Sequence, residues 1–248
     1  MSDFEIIKKH SKHFRVRKEE IKYIILHSSK YNAEKQLEIL DEYGLSVHYI
    51  IGQDGKIIEN LECKNVGYHA GVSSWLGSEV KSLNEYSIGI EIEAPNLGQL
   101  KTDFTKKQFE SLVFLLKGLV KKYKIREEDI LGHSDISPCL KADPGAFFFW
   151  KKLARLGFGV WYDKRSLCKE TDERKLLERI GYNTQNIYAT RHQFCRHFLP
   201  CEASFYKEVM ELVDEPFIKD FRPVCFENYL KTLRAVAFSF DKKRAKKQ

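Results

Sequence analysis

The stretch that most narrows the fold is residues 87–93, SIGIEIE. Ile88, Ile90 and Ile92 alternate with Gly89, Glu91 and Glu93, so an extended chain puts the isoleucines on one face and the carboxylates on the other. A period of two fits a strand with one face on a core, not a helix. Residues 22–27, KYIILH, form a second run that is apolar and rich in β-branched residues, suited to a strand buried on both faces.

Helical signals separate the strands. Asn32 is placed to cap a helix running through Tyr43, with Leu37, Leu40 and Tyr43 inward and Gly44 as its stop. Residues 47–51 read as a strand, and Asp54-Gly55 as the tight turn of a hairpin into residues 56–61. Thr105 and Gln108 form a capping box. It opens a helix with Phe109, Leu112, Val113, Leu116, Val120 and Tyr123 on one face. Residues 130–133 make a further short strand. Strands interleaved with helices up to about residue 157 predict an α/β fold, a central mixed β-sheet flanked by helices, over residues 1–157. Residues 158–172 lack apolar periodicity and read as a linker. Helical patterns at 173–181, 186–198 and 223–238 predict a small C-terminal helical domain over 173–240, with a basic tail at 241–248.

Composition removes several classes. Of 248 residues, 43% are hydrophobic and 31% charged, as in soluble globular proteins, and no apolar run approaches the roughly 18 residues of a transmembrane helix. The first eighteen residues carry no apolar segment of the signal-peptide kind. The expected compartment is therefore the cytoplasm, or the periplasm and cell envelope if a signal has been removed. Five charges of the net +7 sit on Lys242, Lys243, Arg244, Lys246 and Lys247. This tail reads as solvated and disordered. No aromatic or glycine motif accompanies it, so nucleic-acid binding is not expected. None of the six cysteines forms a CxxC pair, which argues against a cysteine metal site and leaves them mostly as small core residues.

The chemistry concentrates in residues 132–145, GHSDISPCLKADPG. Pro138 and Pro144 discourage regular structure, so His133, Asp135, Lys141 and Asp143 share a shaped loop just past a strand end, where sites form in open α/β sheets. His27 ends the first strand. His27, His133 and one aspartate would make a two-nitrogen, one-oxygen set, which suits zinc with a fourth position left for water. By residue type Asp135 and Asp143 serve equally. Glu91 and Glu93 are both candidate proton acceptors.

Five segments then fall in a familiar order and spacing: SVHYII (46–51), the DG turn (54–55), YHAG (68–71), SIGIEIE (87–93) and GHSDISPCLKADPG (132–145). Over roughly residues 20–157 the sequence resembles the family 2 N-acetylmuramoyl-L-alanine amidases. The likeness is to the AmpD-like branch of the group that also holds phage lysozyme-type amidases and peptidoglycan recognition proteins. The resemblance implies one zinc ion per chain on His27, His133 and Asp143, choosing Asp143 over Asp135. It implies Glu91 and Lys141 as catalytic residues, His48 and His69 as lining the cleft, and Trp75 and Asn84 on substrate-contacting loops. Val47 stands where some branches carry a catalytic tyrosine, which leaves water activation to Glu91. The implied reaction is hydrolysis of the amide between N-acetylmuramic acid, including its 1,6-anhydro form, and L-alanine in peptidoglycan or muropeptides. The alternative is a non-catalytic receptor on the same fold. GFGVWYD (157–163), LLERIGYNT (176–184), RHQFCRHFLP (191–200) and FENYLKTL (226–233) resemble the peptidoglycan-binding-type helical module of AmiD-like members, with Phe194, Phe198 and Leu199 as its core.

Overall fold

The computed structural model describes residues 4–77, 82–95, 104–203 and 220–245. Strands β1 (Ile6–Lys8), β2 (Arg15–Val16) and β3 (Tyr23–Ser29) precede helix α1 (Ala33–Glu42). Then come β4 (Tyr49–Ile51), β5 (Ile57–Glu59), β6 (Asn65–Val66), β7 (Ser87–Glu93), α2 (Lys106–Tyr123), β8 (Ile130–Gly132), α3 (His133–Ile136) and α4 (Trp150–Ala154). The C-terminal third adds α5 (Glu173–Ile180), α6 (Ile187–Phe198), α7 (Pro200–Ala203) and α8 (Phe226–Ala245).

Six strands form one sheet in the order β1-β5-β4-β7-β3-β8, and β2 pairs with β6. Only the β4–β5 hairpin of the large sheet is antiparallel, so it is the mixed sheet expected from the element order. Asp54-Gly55 makes the hairpin turn, with Gly55 at φ +85°. The short strands β1, β2 and β6 were not expected. Each has two or three residues, too few for a periodicity to declare itself.

The period of two in β3 and β7 divides the sheet as expected. Ile24, Leu26, Ile88, Ile90 and Ile92 pack with Leu112, Leu115 and Leu116 of α2. Ile25 and Leu131 face the other way, into a core shared with the C-terminal helices. Thr105 caps α2 through the capping box. The buried stripe of α2 is rotated from the expected one, to Gln108, Ser111, Leu112, Leu115, Leu116 and Leu119. Phe109, Val113, Val120 and Tyr123 only flank it. Two hydrogen bonds draw polar residues inward: Gln108 Nε2 donates to Glu93 O (2.6 Å) and Ser111 Oγ to Gly55 O (2.5 Å). On α1, Leu37 and Leu40 pack inward but Tyr43 is exposed, because the helix ends at Glu42 and Gly44 turns the chain away at φ +66°.

The C-terminal helices share their core with the sheet. Leu176, Ile180, Phe194, Phe198, Tyr229 and Leu233 bury themselves against Ile25, Ala70, Leu131 and Ile136. Residues 158–172, expected as a linker, are packed too, since Phe158, Val160 and Cys168 are buried. The basic tail is corrected over 241–245, where α8 continues. Lys243 pairs with Glu127, and Arg244 donates to Arg179 O and Ile180 O (2.5 and 2.6 Å), closing the C-terminal end of α5. Lys246 and Lys247 lie outside the described residues. Of the cysteines, Cys63, Cys168 and Cys195 are buried as expected, Cys139 is half-buried, and Cys201 and Cys225 are exposed. No described helix is long and apolar enough to cross a membrane.

Candidate metal centre

The parallel pairing of β7, β3 and β8 sends their C-terminal ends the same way. Alternation puts Gly89 and Glu91 on the face of Ile25 and His27, and His133 follows β8 directly. His27 and Glu91 are neighbours in the β3–β7 register. The loop after α3 then returns to bring Asp143 alongside.

The result is a triangle of donor atoms. His27 Nδ1 lies 3.0 Å from His133 Nδ1 and 3.3 Å from Asp143 Oδ2, and His133 Nδ1 lies 3.1 Å from the same oxygen. Metal–ligand bonds of about 2.0–2.1 Å in a tetrahedron separate donor atoms by about 3.3–3.4 Å. The triangle is one face of such a tetrahedron, slightly contracted. With a hydrogen on both Nδ1 atoms, two N–H groups would confront each other. A divalent cation accepts all three lone pairs at once, so the residues fit a metal. Among the described residues this is the one such cluster of His, Cys, Asp and Glu found.

Electrostatics agree. Burial lowers the His27 pKa to about 4, and the neighbouring His133 adds to this, so the imidazole stays neutral and able to ligate. Burial would raise the Asp143 carboxyl, but His133 and His27 outweigh it and hold the group well below the usual carboxylate range. Burial, and then the Asp143 charge, push Glu91 up to about 8, with Lys141 opposing. Glu91 Oε2 is buried with no protein partner. Lys141 sits exposed on the rim of the loop, two residues before Asp143.

Asp135 is not part of the triangle. Its oxygens accept from Gly132 N (2.7 Å) and Tyr182 OH (2.6 Å) and meet His197 Nδ1. His69 stands behind His27. With Nδ1 of His27 in the triangle, its Nε2–H donates to His69 Nδ1 (3.0 Å); His69 Nε2–H points to Ser87 Oγ (3.5 Å), whose hydroxyl donates to Leu83 O (2.7 Å). Such relays fix the tautomer and tilt of a ligating imidazole. A Cβ at Gly89 would lie 2.6 Å from His69 Cγ, so the glycine in the alternating strand makes room for this ring. His69 was expected only from the family resemblance; Ser87 left no signal in the sequence.

The structure gives the other expected substrate contacts protein partners. Trp75 is 1% exposed and lies in the core against Tyr182 and Phe240, a burial created by the C-terminal helices. His48 is fully buried; its Nδ1 accepts from Gly89 N (3.0 Å) and its Nε2 meets Asn65 O (3.2 Å). Asn84 acts on backbone, its Oδ1 accepting from His69 N and Ala70 N (3.0 and 2.7 Å).

His48 carries a pH prediction. Burial, then the Arg17 guanidinium, lower its pKa to about 3. The unfolded residue titrates near 6.5, so below that pH the unfolded chain binds the extra proton and folded stability falls as pH drops toward 3. By pH 5 the loss from this one group is on the order of 2 kcal/mol, or about 4–8 °C in Tm at this chain length. His48→Asn keeps an acceptor for Gly89 N without the titration. Its Tm should fall less between pH 7 and pH 5 than that of the unmodified chain, as scanning calorimetry can measure.

Residues 17–146, more than half of the chain, match the family described as N-acetylmuramoyl-L-alanine amidase. The sequence is 31% identical over 212 residues to the N-acetylmuramoyl-L-alanine amidase AmiD of Escherichia coli, covering 73% of this chain and 75% of the relative. It is 38% identical over 109 residues to the 1,6-anhydro-N-acetylmuramyl-L-alanine amidase AmpD of Haemophilus influenzae, covering 44% of this chain and 56% of that relative. Among solved structures, AmiD from E. coli in complex with anhydro-N-acetylmuramic acid-L-Ala-D-γ-Glu-L-Lys superposes with a TM-score of 0.70 at 24% identity, over 90% of this chain and 89% of that one. AmpDh3 from Pseudomonas aeruginosa in complex with anhydromuramic pentapeptide gives 0.69 at 23% identity, over 90% and 92%.

Proposed function

Since this chain belongs to the N-acetylmuramoyl-L-alanine amidase family, we propose that it hydrolyses the muramoyl–L-alanine amide of peptidoglycan fragments at a zinc ion held by His27, His133 and Asp143. The observation that carries the reading is half-buried Glu91, its Oε2 buried and without a protein partner, beside the His27–His133–Asp143 triangle. Zinc fits the two-nitrogen, one-oxygen donor set. When bound, it supplies a Lewis acid and lowers the pKa of its water from about 15.7 to about 7.

The chain's own groups supply the remaining steps. A cation beside Glu91 favours its carboxylate form against the burial that raises its pKa. Glu91 then takes the proton of the attacking water and returns it to the departing L-alanine nitrogen. Lys141 places a positive charge on the rim for the oxyanion that develops on the carbonyl oxygen. His69, backed by Ser87, holds His27 from behind, and Asn84 holds the His69 backbone.

Both the anhydro and the intact muramoyl peptide are taken as substrates, in line with the anhydromuramoyl peptides bound by structurally similar AmiD and AmpDh3. Mass spectrometry of digests of both muropeptides tests this. The expected products are free stem peptide and peptide-free sugar, lost with a chelator and restored by zinc. Cleavage at any other bond, or turnover indifferent to the chelator, would refute the reading.

A further inference from the structure

The loop that carries His133 and Asp143 is gripped by one face of α6. Gln193 Nε2 donates to Pro138 O (3.4 Å) and Arg196 Nη2 to Ala142 O (2.9 Å), while His197 Nδ1 lies 3.0 and 2.9 Å from the two oxygens of Asp135. Positions 193, 196 and 197 are neighbours on a helix, at spacings of three and four. All three side chains are buried. The His197 ring is fixed between Trp150 and Phe198, with both centroid distances 4.0 Å.

The points of attachment are specific. Ala142 immediately precedes the candidate ligand Asp143. Asp135 lies two residues after His133 and also accepts from Gly132 N, the residue before it. His133 and Asp143 each therefore have their adjoining backbone tied to α6. The chemistry is costly for mere packing. A buried guanidinium gives up much of its hydration, and Arg196 makes only one hydrogen bond, with Nε and Nη1 unpartnered among the described residues. Its favourable partner is the nearby charge of Asp143. An apolar side chain would pack the seam at lower cost, but would release Ala142 and remove the charge behind Asp143.

We infer that α6 is a clamp for the cation site, with Arg196 and His197 acting as positioning residues that preset Asp143 through Ala142 and His133 through Asp135. The C-terminal helices thereby serve the metal centre directly. This rests on the reading of His133 and Asp143 as ligands.

The test is zinc affinity of the full-length chain, measured by competition with a chromogenic chelator. Arg196→Met and His197→Ala are each expected to weaken binding by about 10–100-fold, the range for lost outer support of metal ligands. His197→Asn, whose amide N–H can replace Nδ1–H toward Asp135, should recover most of the loss. Leu233→Ala, in the α8 core and outside the hydrogen bonds that hold the loop, should lower Tm yet leave affinity within about 3-fold, which a merely structural role for α6 would not allow. Should the truncations fail to fold, Arg196→Lys keeps the charge but not the reach to Ala142 O; an affinity unchanged in that variant overturns the clamp. So does unchanged affinity in Arg196→Met and His197→Ala, or an equal loss in Leu233→Ala. If the unmodified chain binds no zinc, the ligand reading fails and the clamp with it; if it binds and the variants match it, the clamp alone fails.

Discussion

Glu91→Gln is expected to lower turnover of a muramoyl peptide by about 10²–10⁴-fold while leaving zinc stoichiometry unchanged. The amide has nearly the shape of the carboxyl and fits the same space, but it cannot take a proton from water. Glu91 Oε2 has no hydrogen-bond partner among the described residues, so the triangle survives the change. Glu93 is the internal control. It shares the strand face, but its Oε2 accepts from Gln53 N (3.3 Å) one turn of the alternation further on. Glu93→Gln should keep turnover within a few-fold of the unmodified chain. Kinetics and metal analysis on the two variants check this. Near-normal turnover in Glu91→Gln would remove it as the base, and substrate binding without turnover in the unmodified chain would favour a receptor on the same fold.

Asp143→Ala carries the second large effect. Asp143 is the one anionic member of the triangle, and its carboxylate is held ionised by both imidazoles. Its removal leaves two imidazole nitrogens 3.0 Å apart, a poor site for a divalent cation. Loss of a Lewis acid that contributes several kcal/mol to transition-state stability lowers turnover by roughly 10³-fold or more. Excess zinc should not rescue it. Asp135→Asn separates the two aspartates of the loop, because Asp135 binds Tyr182 and His197 and not the triangle. That variant should keep a zinc site of reduced affinity and recover turnover when zinc is added in excess. The reverse pattern would exchange the roles of the two residues.

Local chemistry was readable where the signal was local. The alternation of residues 87–93 set the face of Glu91, Thr105 and Gln108 set the start of α2, and Gly44 set the end of α1. Residue type alone could not divide Asp135 from Asp143, since both follow His133 within ten positions; their partners come from α6, Tyr182 and β3, far away in sequence. Trp75 was misplaced for the same reason. Its pocket is made by Tyr182 and Phe240, more than a hundred residues on. His48 looked like a cleft residue because nothing near it in sequence announces that Asn65, Gly89 and Arg17 enclose it. The basic tail read as solvated because the helix it extends finds its partners, Glu127 and the end of α5, only in three dimensions.

Anomalous diffraction at the zinc edge, from crystals of the unmodified chain grown with zinc, tests the proposed centre most directly. The predicted result is a single strong peak per chain, about 2.0–2.2 Å from His27 Nδ1, His133 Nδ1 and Asp143 Oδ2, with Glu91 outside the coordination sphere. No peak within reach of those three atoms, or one centred on Asp135 and His197, would contradict the account.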